Sequence, residues 1–148
     1  MKIAFDYLGI KRNFQYSELA RRVIRDVFQR ERKQLGEISI IFTNNQNILT
    51  INKSFLQHSY FTDVITFNNT RKSKLMGDII ISIEQVETNA KKYGTIYDEE
   101  LMRVIIHGVL HLIGYRDGDQ KDRAIMREKE EEYLLPVRKI IEQNSDEA

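Results

Sequence analysis

The chain of 148 residues contains no cysteine. That removes disulfides, thiolate-held zinc and thiol nucleophiles from consideration. Any metal would be held by histidine, aspartate or glutamate, and the three histidines are His58, His107 and His111. A site of three protein ligands therefore needs a carboxylate unless all the histidines converge. Proline is nearly absent as well, Pro136 being the single one. No stretch approaches a transmembrane span, and the N-terminal "MKIAFDYLGIKRNF" has no apolar run of signal-peptide length. A soluble, cytoplasmic protein with no membrane partner is expected.

A large net charge is missing too. The formal value is +1, yet it is unevenly spread. Residues 1–75 carry 13 Lys and Arg against 6 Asp and Glu, and residues 76–148 carry 10 against 16. Such a bias often only solvates a helix face. It also permits a basic surface for a polyanion such as nucleic acid. What is present in quantity is apolar residues, 41% of the chain, enough for the core of one domain spanning 1–148.

The patterning is mixed. "KIAFDY" alternates and reads as a strand. In "SELARRVIRDVFQRERKQLG" the residues Leu19, Val23, Ile24, Val27 and Phe28 recur at helical spacing, with Ser17 placed to cap the helix and Gly36 to stop it. "EISIIFT", "TDVITF" and "GDIIISI" read as further strands, and "NNQNILTINKSF" as a short helix after the first of them. "SIEQVETNAKKYG" has a capping box in Ser82 and Gln85 and a stop at Gly94. "DEELMRVIIHGVLHLIG" is apolar almost all round, so it should be buried, with Asp98 as cap and Gly114 as end. "DQKDRAIMREKEEEYLL" is a last, charged helix. The order β-α-β-α-β-β-α-α-α predicts an α+β fold, a small mixed sheet of about four strands with helices packed against it.

The chemistry concentrates in "HGVLHLIGYRD", residues 107 to 117. His107 and His111 stand four apart, so on a helix they share a face and can present two imidazoles to one ion. A lone histidine there would be an ordinary core residue; two on so apolar a helix each need a polar partner, which a shared metal supplies. Gly114 can turn the chain back, and Asp117 arrives at the spacing from which extended zinc motifs draw a third ligand. The competing role for Asp117 is to cap the final helix, a role better suited to Asp119. A His₂Asp set leaves a coordination position open, as catalytic sites do, and makes a zincin-like site at the end of a buried helix. Gly108, however, occupies the slot where a zinc protease carries its general-base glutamate. Peptide hydrolysis by that route is disfavoured, whereas a metal that acidifies its own water keeps other hydrolyses open.

These residues resemble a known signature. "HGVLHLIGYRD" is similar to the H-G-x-L-H-L-x-G-Y-D-H motif of the YbeY family of bacterial rRNA-maturation endoribonucleases, through His107, Gly108, Leu110, His111, Leu112, Gly114 and Tyr115. "NKSFLQHSYFTDVITF" and "MGDIIIS" resemble two further family blocks, and the likeness spans about the whole chain. It implies one zinc ion per chain, single-strand-specific RNA cleavage, a role in 16S rRNA 3′-end maturation and ribosome quality control, and the small ribosomal subunit as partner. Two positions depart from the family: Asp117 stands where a third histidine is usual, and Leu56 where the family has an arginine.

The expected site is therefore His107, His111 and Asp117 on zinc. Arg116 is a candidate for neutralising charge on a phosphodiester. Arg71, Lys72 and Lys74 are candidates for RNA binding, although plain solvation suits Lys72 and Lys74. His58 is a candidate acid or base beside the metal, or simply a loop histidine. Tyr60 and Phe61 could stack on bases or fill core. The rival function is a non-catalytic ribosome-assembly or RNA-binding factor with a structural zinc.

Overall fold

β-Branched and alternating segments pair edge to edge in the computed structural model, which describes residues 2–56 and 62–147. His58, Tyr60 and Phe61 lie outside the described residues. Strands β1 (Lys2–Tyr7), β2 (Gln34–Thr43), β3 (Val64–Asn68) and β4 (Lys74–Ser82) form one sheet in the order β1-β2-β4-β3. β1 and β4 flank β2 in parallel, and β3 runs antiparallel on β4. The sheet is thus mixed and four-stranded, as the alternation predicted.

Successive side chains on a strand face opposite ways, and this sorts the core. Ile38, Ile40 and Phe42 of β2 and Ile79 and Ile81 of β4 enter the main core, all at most 1% exposed. That core is filled from α1 (Ser17–Arg30), α4 (Tyr97–Leu112) and α5 (Gln120–Glu147). The opposite face meets α2 (Asn45–Ile51), whose Ile48 packs on Ile65 and Ile80. α2 continues into a π-helical turn, Asn52–Leu56. α3 (Ile83–Tyr93) begins and ends as its sequence dictates: the Ser82 hydroxyl accepts from the Gln85 amide, and Gly94 takes the left-handed cap conformation.

Four boundary expectations are corrected. Tyr16, not Ser17, occupies the N-cap of α1. Gly36 does not stop α1: the helix ends at Arg30, Arg32 turns the chain with a φ of 56°, and the Lys33 amide donates to the Phe28 carbonyl at 2.9 Å. Gly36 lies instead inside β2, where a Cβ would stand 3.1 Å from the Leu75 carbonyl oxygen. Asp98 falls inside the first turn of α4 rather than at its cap, which is Ile96. α5 runs through Pro136, because Val137 and Ile141 beyond it are buried at 1% exposure or less. Their burial outweighs the missing amide donor.

The decisive packing event is the approach of α4 to β4. A Cβ on Gly108 would meet Ile79 Cγ2 at 2.7 Å, and one on Gly77 would meet the Phe67 carbonyl oxygen at 2.7 Å and Leu112 at 2.9 Å. At these points a side chain from one element therefore packs directly on the bare backbone of the other, Ile79 on Gly108 and Leu112 on Gly77. A glutamate at position 108 has no room on this face.

At the other side of α4, Glu31 ties three elements together. It accepts from Tyr115 Oη at 2.5 Å, from Tyr133 Oη at 2.5 Å and from Lys129 Nζ at 3.2 Å. Burial opposes its charge, but the bonds from Tyr115, Tyr133 and Lys129 prevail and hold its pKa below the usual glutamate value.

Two outcomes are expected. Gly108→Val should destabilise the fold by about 2 kcal/mol or more through overpacking against Ile79, measured by urea unfolding. Because the Glu31 pKa is depressed on folding, its contribution is complete above the unfolded value of about 4.3 and is lost as pH falls through the lower folded value. The stability of Glu31→Gln should accordingly vary less with pH below about 5 than that of the wild type. Equal acid slopes in both proteins would contradict this.

Candidate metal centre

Between Glu99 and Leu112, α4 is buried except at Arg103, His107 and His111. These recur every four residues and so form one polar stripe along an otherwise apolar helix. The stripe faces α5 and the turn after α4, to one side of the sheet contact that Gly108 makes. The imidazoles of His107 and His111 lie edge to face, with centroids 4.5 Å apart.

The end of α4 brings the third group in. Gly114 donates to the His111 carbonyl at 3.1 Å and has a φ of 115°, a conformation that other residues resist. The Tyr115 amide then donates to the Leu110 carbonyl at 3.0 Å, and the chain doubles back. Tyr115 is anchored from below by its hydroxyl on Glu31. Asp117 follows, with Oδ2 at 3.1 Å from His111 Nε2 and 3.4 Å from His107 Nε2. Asp119 takes the cap of α5, accepting from the Asp122 amide at 2.7 Å. Asp117 is thereby free of capping duty, as its spacing suggested.

The other ring nitrogens decide what these three groups can do. His111 Nδ1 lies 3.0 Å from the Tyr115 carbonyl oxygen, which can only accept, so Nδ1 carries a proton. His107 Nδ1 lies 2.6 Å from Glu130 Oε2. Burial disfavours the Glu130 charge, yet the bonds from His107 and Arg103 hold its pKa below the usual range, so this carboxylate also accepts. In the neutral tautomers both Nε2 atoms present lone pairs, and both point at the Asp117 carboxylate. Three acceptors facing one another repel unless a cation or a proton lies among them. Their separations of 3.1 and 3.4 Å match the edge of about 3.3 Å expected for tetrahedral ligands at zinc-like bond lengths. His107, His111 and Asp117 can hold a metal ion, their donor atoms all lying within 4.8 Å of one another.

An outer set of groups supports the histidines. Arg103 donates to Glu130 Oε1 at 2.9 Å and, through two nitrogens, to both oxygens of Glu100. Its guanidinium pKa is raised, first by the Glu100 hydrogen bond, so it stays charged. The chain Glu100–Arg103–Glu130–His107 orients the imidazole and makes it a better donor. Glu130 was not legible beforehand: it lies 23 residues from His107 in a helix whose charge reads as plain solvation. Arg103, one helical step before His107 on the same face, carried a signal in its spacing.

The remaining candidates sit apart. Arg116 is exposed and makes no ion pair among the described residues. Arg71 and Lys74 close the β3–β4 hairpin by mutual backbone bonds of 3.3 and 3.0 Å, with Lys72 and Ser73 at positive φ between them. Arg71, Lys72 and Lys74 are all exposed. Beside the hairpin, Thr70 and Ser73 face His111 and Gly114 across a groove of about 380 Å³.

A match to the family described as Endoribonuclease YbeY extends over residues 6–138. The chain belongs to the YbeY endoribonuclease family. It is 46% identical over 111 residues to the Endoribonuclease YbeY of Bacteroides thetaiotaomicron, covering 75% of this chain and 81% of that one. It is 41% identical over 139 residues to the Endoribonuclease YbeY of Bacteroides fragilis, covering 94% and 99%. A solution structure of a Thermotoga maritima protein superposes with a TM-score of 0.71 at 26% identity, covering all of this chain and 96% of that one. The YbeY resemblance read from the histidine signature is thus upheld across the length of the chain. No helix among the described residues is long and apolar enough to cross a membrane.

The outer carboxylate has a measurable consequence. Glu130→Gln should weaken divalent-metal affinity about 10- to 100-fold in competition with a chromophoric chelator. Affinity equal to wild type would remove Glu130 from the support of His107.

Proposed function

We propose that this protein is a single-strand-specific, metal-dependent endoribonuclease, loaded with one zinc ion per chain, that matures the 3′ end of 16S rRNA and acts in ribosome quality control. The observation that carries the reading is the convergence of two Nε2 lone pairs and a carboxylate, with both tautomers held from behind, in a member of the YbeY endoribonuclease family. Ribosomal RNA as substrate places the protein in the cytoplasm, with the small ribosomal subunit as its partner.

His107, His111 and Asp117 would hold the ion. His/Asp ligation suits zinc, and nickel, cobalt and iron share the preference. When bound, the ion would polarise a phosphoryl oxygen and make water a stronger nucleophile at neutral pH. The residues around it do the positioning. Glu130 and the Tyr115 carbonyl keep the Nδ1 protons on the far side of both rings. Arg116, next to the third ligand and unpaired among the described residues, can turn its guanidinium to a phosphodiester and neutralise developing charge. Arg71, Lys72 and Lys74 on the hairpin would meet the strand beyond it, and His58 would serve as acid or base. The protease reading loses its base for a structural reason, since the Gly108 slot is filled by Ile79.

One observation favours a second reading. Leu56 replaces the arginine found in the family, so a phosphate-stabilising cation is missing from that position. A ribosome-assembly or RNA-binding factor with a structural zinc would tolerate this.

The test uses purified protein and a single-stranded RNA, with and without chelator. Cleavage that chelator abolishes and zinc restores is expected. His111→Ala and Asp117→Ala should both lose zinc by elemental analysis and lose cleavage about 100-fold or more. Full zinc occupancy in both variants would overturn the ligand assignment, and tight binding to the small subunit without cutting would favour the assembly factor.

A further inference from the structure

The basic excess of the first half of the chain is not spread evenly over the surface. Arg21 and Arg30 are matched by Glu18 and Asp26 on their own helix. Arg25, Lys33 and Lys74, in contrast, are exposed and make no ion pair among the described residues. All three line one groove of about 460 Å³ between the end of α1 and the start of β2. Lys33 and Gln34 also line the groove of about 380 Å³ that contains His111, so the two grooves adjoin at these residues. Neither is lined by an aspartate or a glutamate. The groove between α4 and α5 differs, its walls mixing Glu99, Glu100, Glu130 and Glu131 with Arg103, Arg127 and Arg138.

The cations are also held on defined backbone. The Lys33 amide is bonded to the Phe28 carbonyl, and Lys74 to Arg71 in both directions. The turns that carry them hold Arg32, Lys72 and Ser73 at positive φ, the non-glycine residues with that conformation among those described. A channel that begins at a metal centre, carries unpaired cations on fixed turns and excludes carboxylates suits a polyanionic chain. The lining side chains of the outer part are cationic, amide or buried apolar, with no exposed aromatic ring for a base to stack on. Such a surface reads phosphates and not sequence.

We propose that this channel carries the RNA strand on one side of the cut, with Lys74, Lys33 and Arg25 each neutralising a backbone phosphate in turn as the strand leaves His111. The assignment rests on the nuclease reading for its substrate. It adds a direction, past the β3–β4 hairpin to the C-terminal end of α1, and a sequence-independent grip.

The test is fluorescence anisotropy on the full chain with a labelled single-stranded RNA of about 20 nucleotides, titrated at several salt concentrations. Each phosphate contact on a single strand adds about 0.7 to the slope of log affinity against log salt. The variant Arg25→Ala/Lys33→Ala/Lys74→Ala should therefore lose about 2 from the slope and bind about tenfold more weakly or worse at low salt. Lys92→Ala, on α3, is the control and should match wild type. If the triple variant also matches wild type while wild-type protein cuts RNA in a chelator-sensitive way, the channel is wrong and the nuclease reading stands. If the triple variant loses binding but wild-type protein cuts no RNA with any divalent metal, the channel stands and the nuclease reading falls.

Discussion

Helix α4 lies on strand β4 with nothing but a hydrogen between the Gly108 α-carbon and Ile79. That contact sets the depth of the helix in the fold and its rotation about its own axis. With position 108 pressed on the sheet, residues 103, 107 and 111 fall to one side of that contact, about a quarter-turn round the helix on average, toward α5 and the returning chain. The same closeness requires Gly77 on the strand, where Leu112 and the Phe67 carbonyl leave no space for a side chain. The residue that takes the place of a protease's glutamate is thus a packing element. The chemistry of the helix is displaced to one polar stripe, and its ends are left to position everything else.

Around that stripe the protein places carboxylates where burial would ordinarily be costly. Glu100 and Glu130 are 2% and 5% exposed; Arg103 holds both oxygens of Glu100, and Arg103 and His107 share Glu130. Single buried ion pairs contribute little net stability, since desolvation consumes most of their attraction. Their value here is directional. Glu130 is shared between Arg103 and His107, so it cannot swing away from either, and no buried side-chain polar atom among the described residues is left without a partner. Glu31 does the same for Tyr115 and Tyr133, holding the turn after α4 against α5. The supports of the candidate metal centre come from α4, α5 and the end of α1 at once.

Legibility in the sequence followed the range of the forces involved. Ser82 with Gln85, and Gly94, mark their helix ends by bonds within a few residues, and they sit where the pattern put them. The His107/His111 pair and the Gly114 turn are equally local. Gly36 misled because the same residue type serves a helix stop and a close strand approach, and only the neighbouring Leu75 carbonyl distinguishes the two. The last helix runs beyond the expected segment because the local cost of Pro136 is overruled by the burial of Val137 and Ile141. Asp98 has the chemistry of a cap but lies two residues inside the end, where it accepts from Gln15 instead.

By itself the sequence determined the donor set: without cysteine and with three histidines, a metal had to be sought at 107 and 111 with a carboxylate nearby, and helical spacing put the two rings together. It determined the family as well, because the signature is contiguous. Only the tertiary structure decided which ring nitrogens face Asp117, since that depends on Glu130 and the Tyr115 carbonyl meeting the opposite nitrogens. It alone joined Arg25, Lys33 and Lys74 into one groove and set it beside the groove of His111. Those groups are far apart along the chain, and no local pattern encodes where a packed helix and a hairpin will bring them side by side.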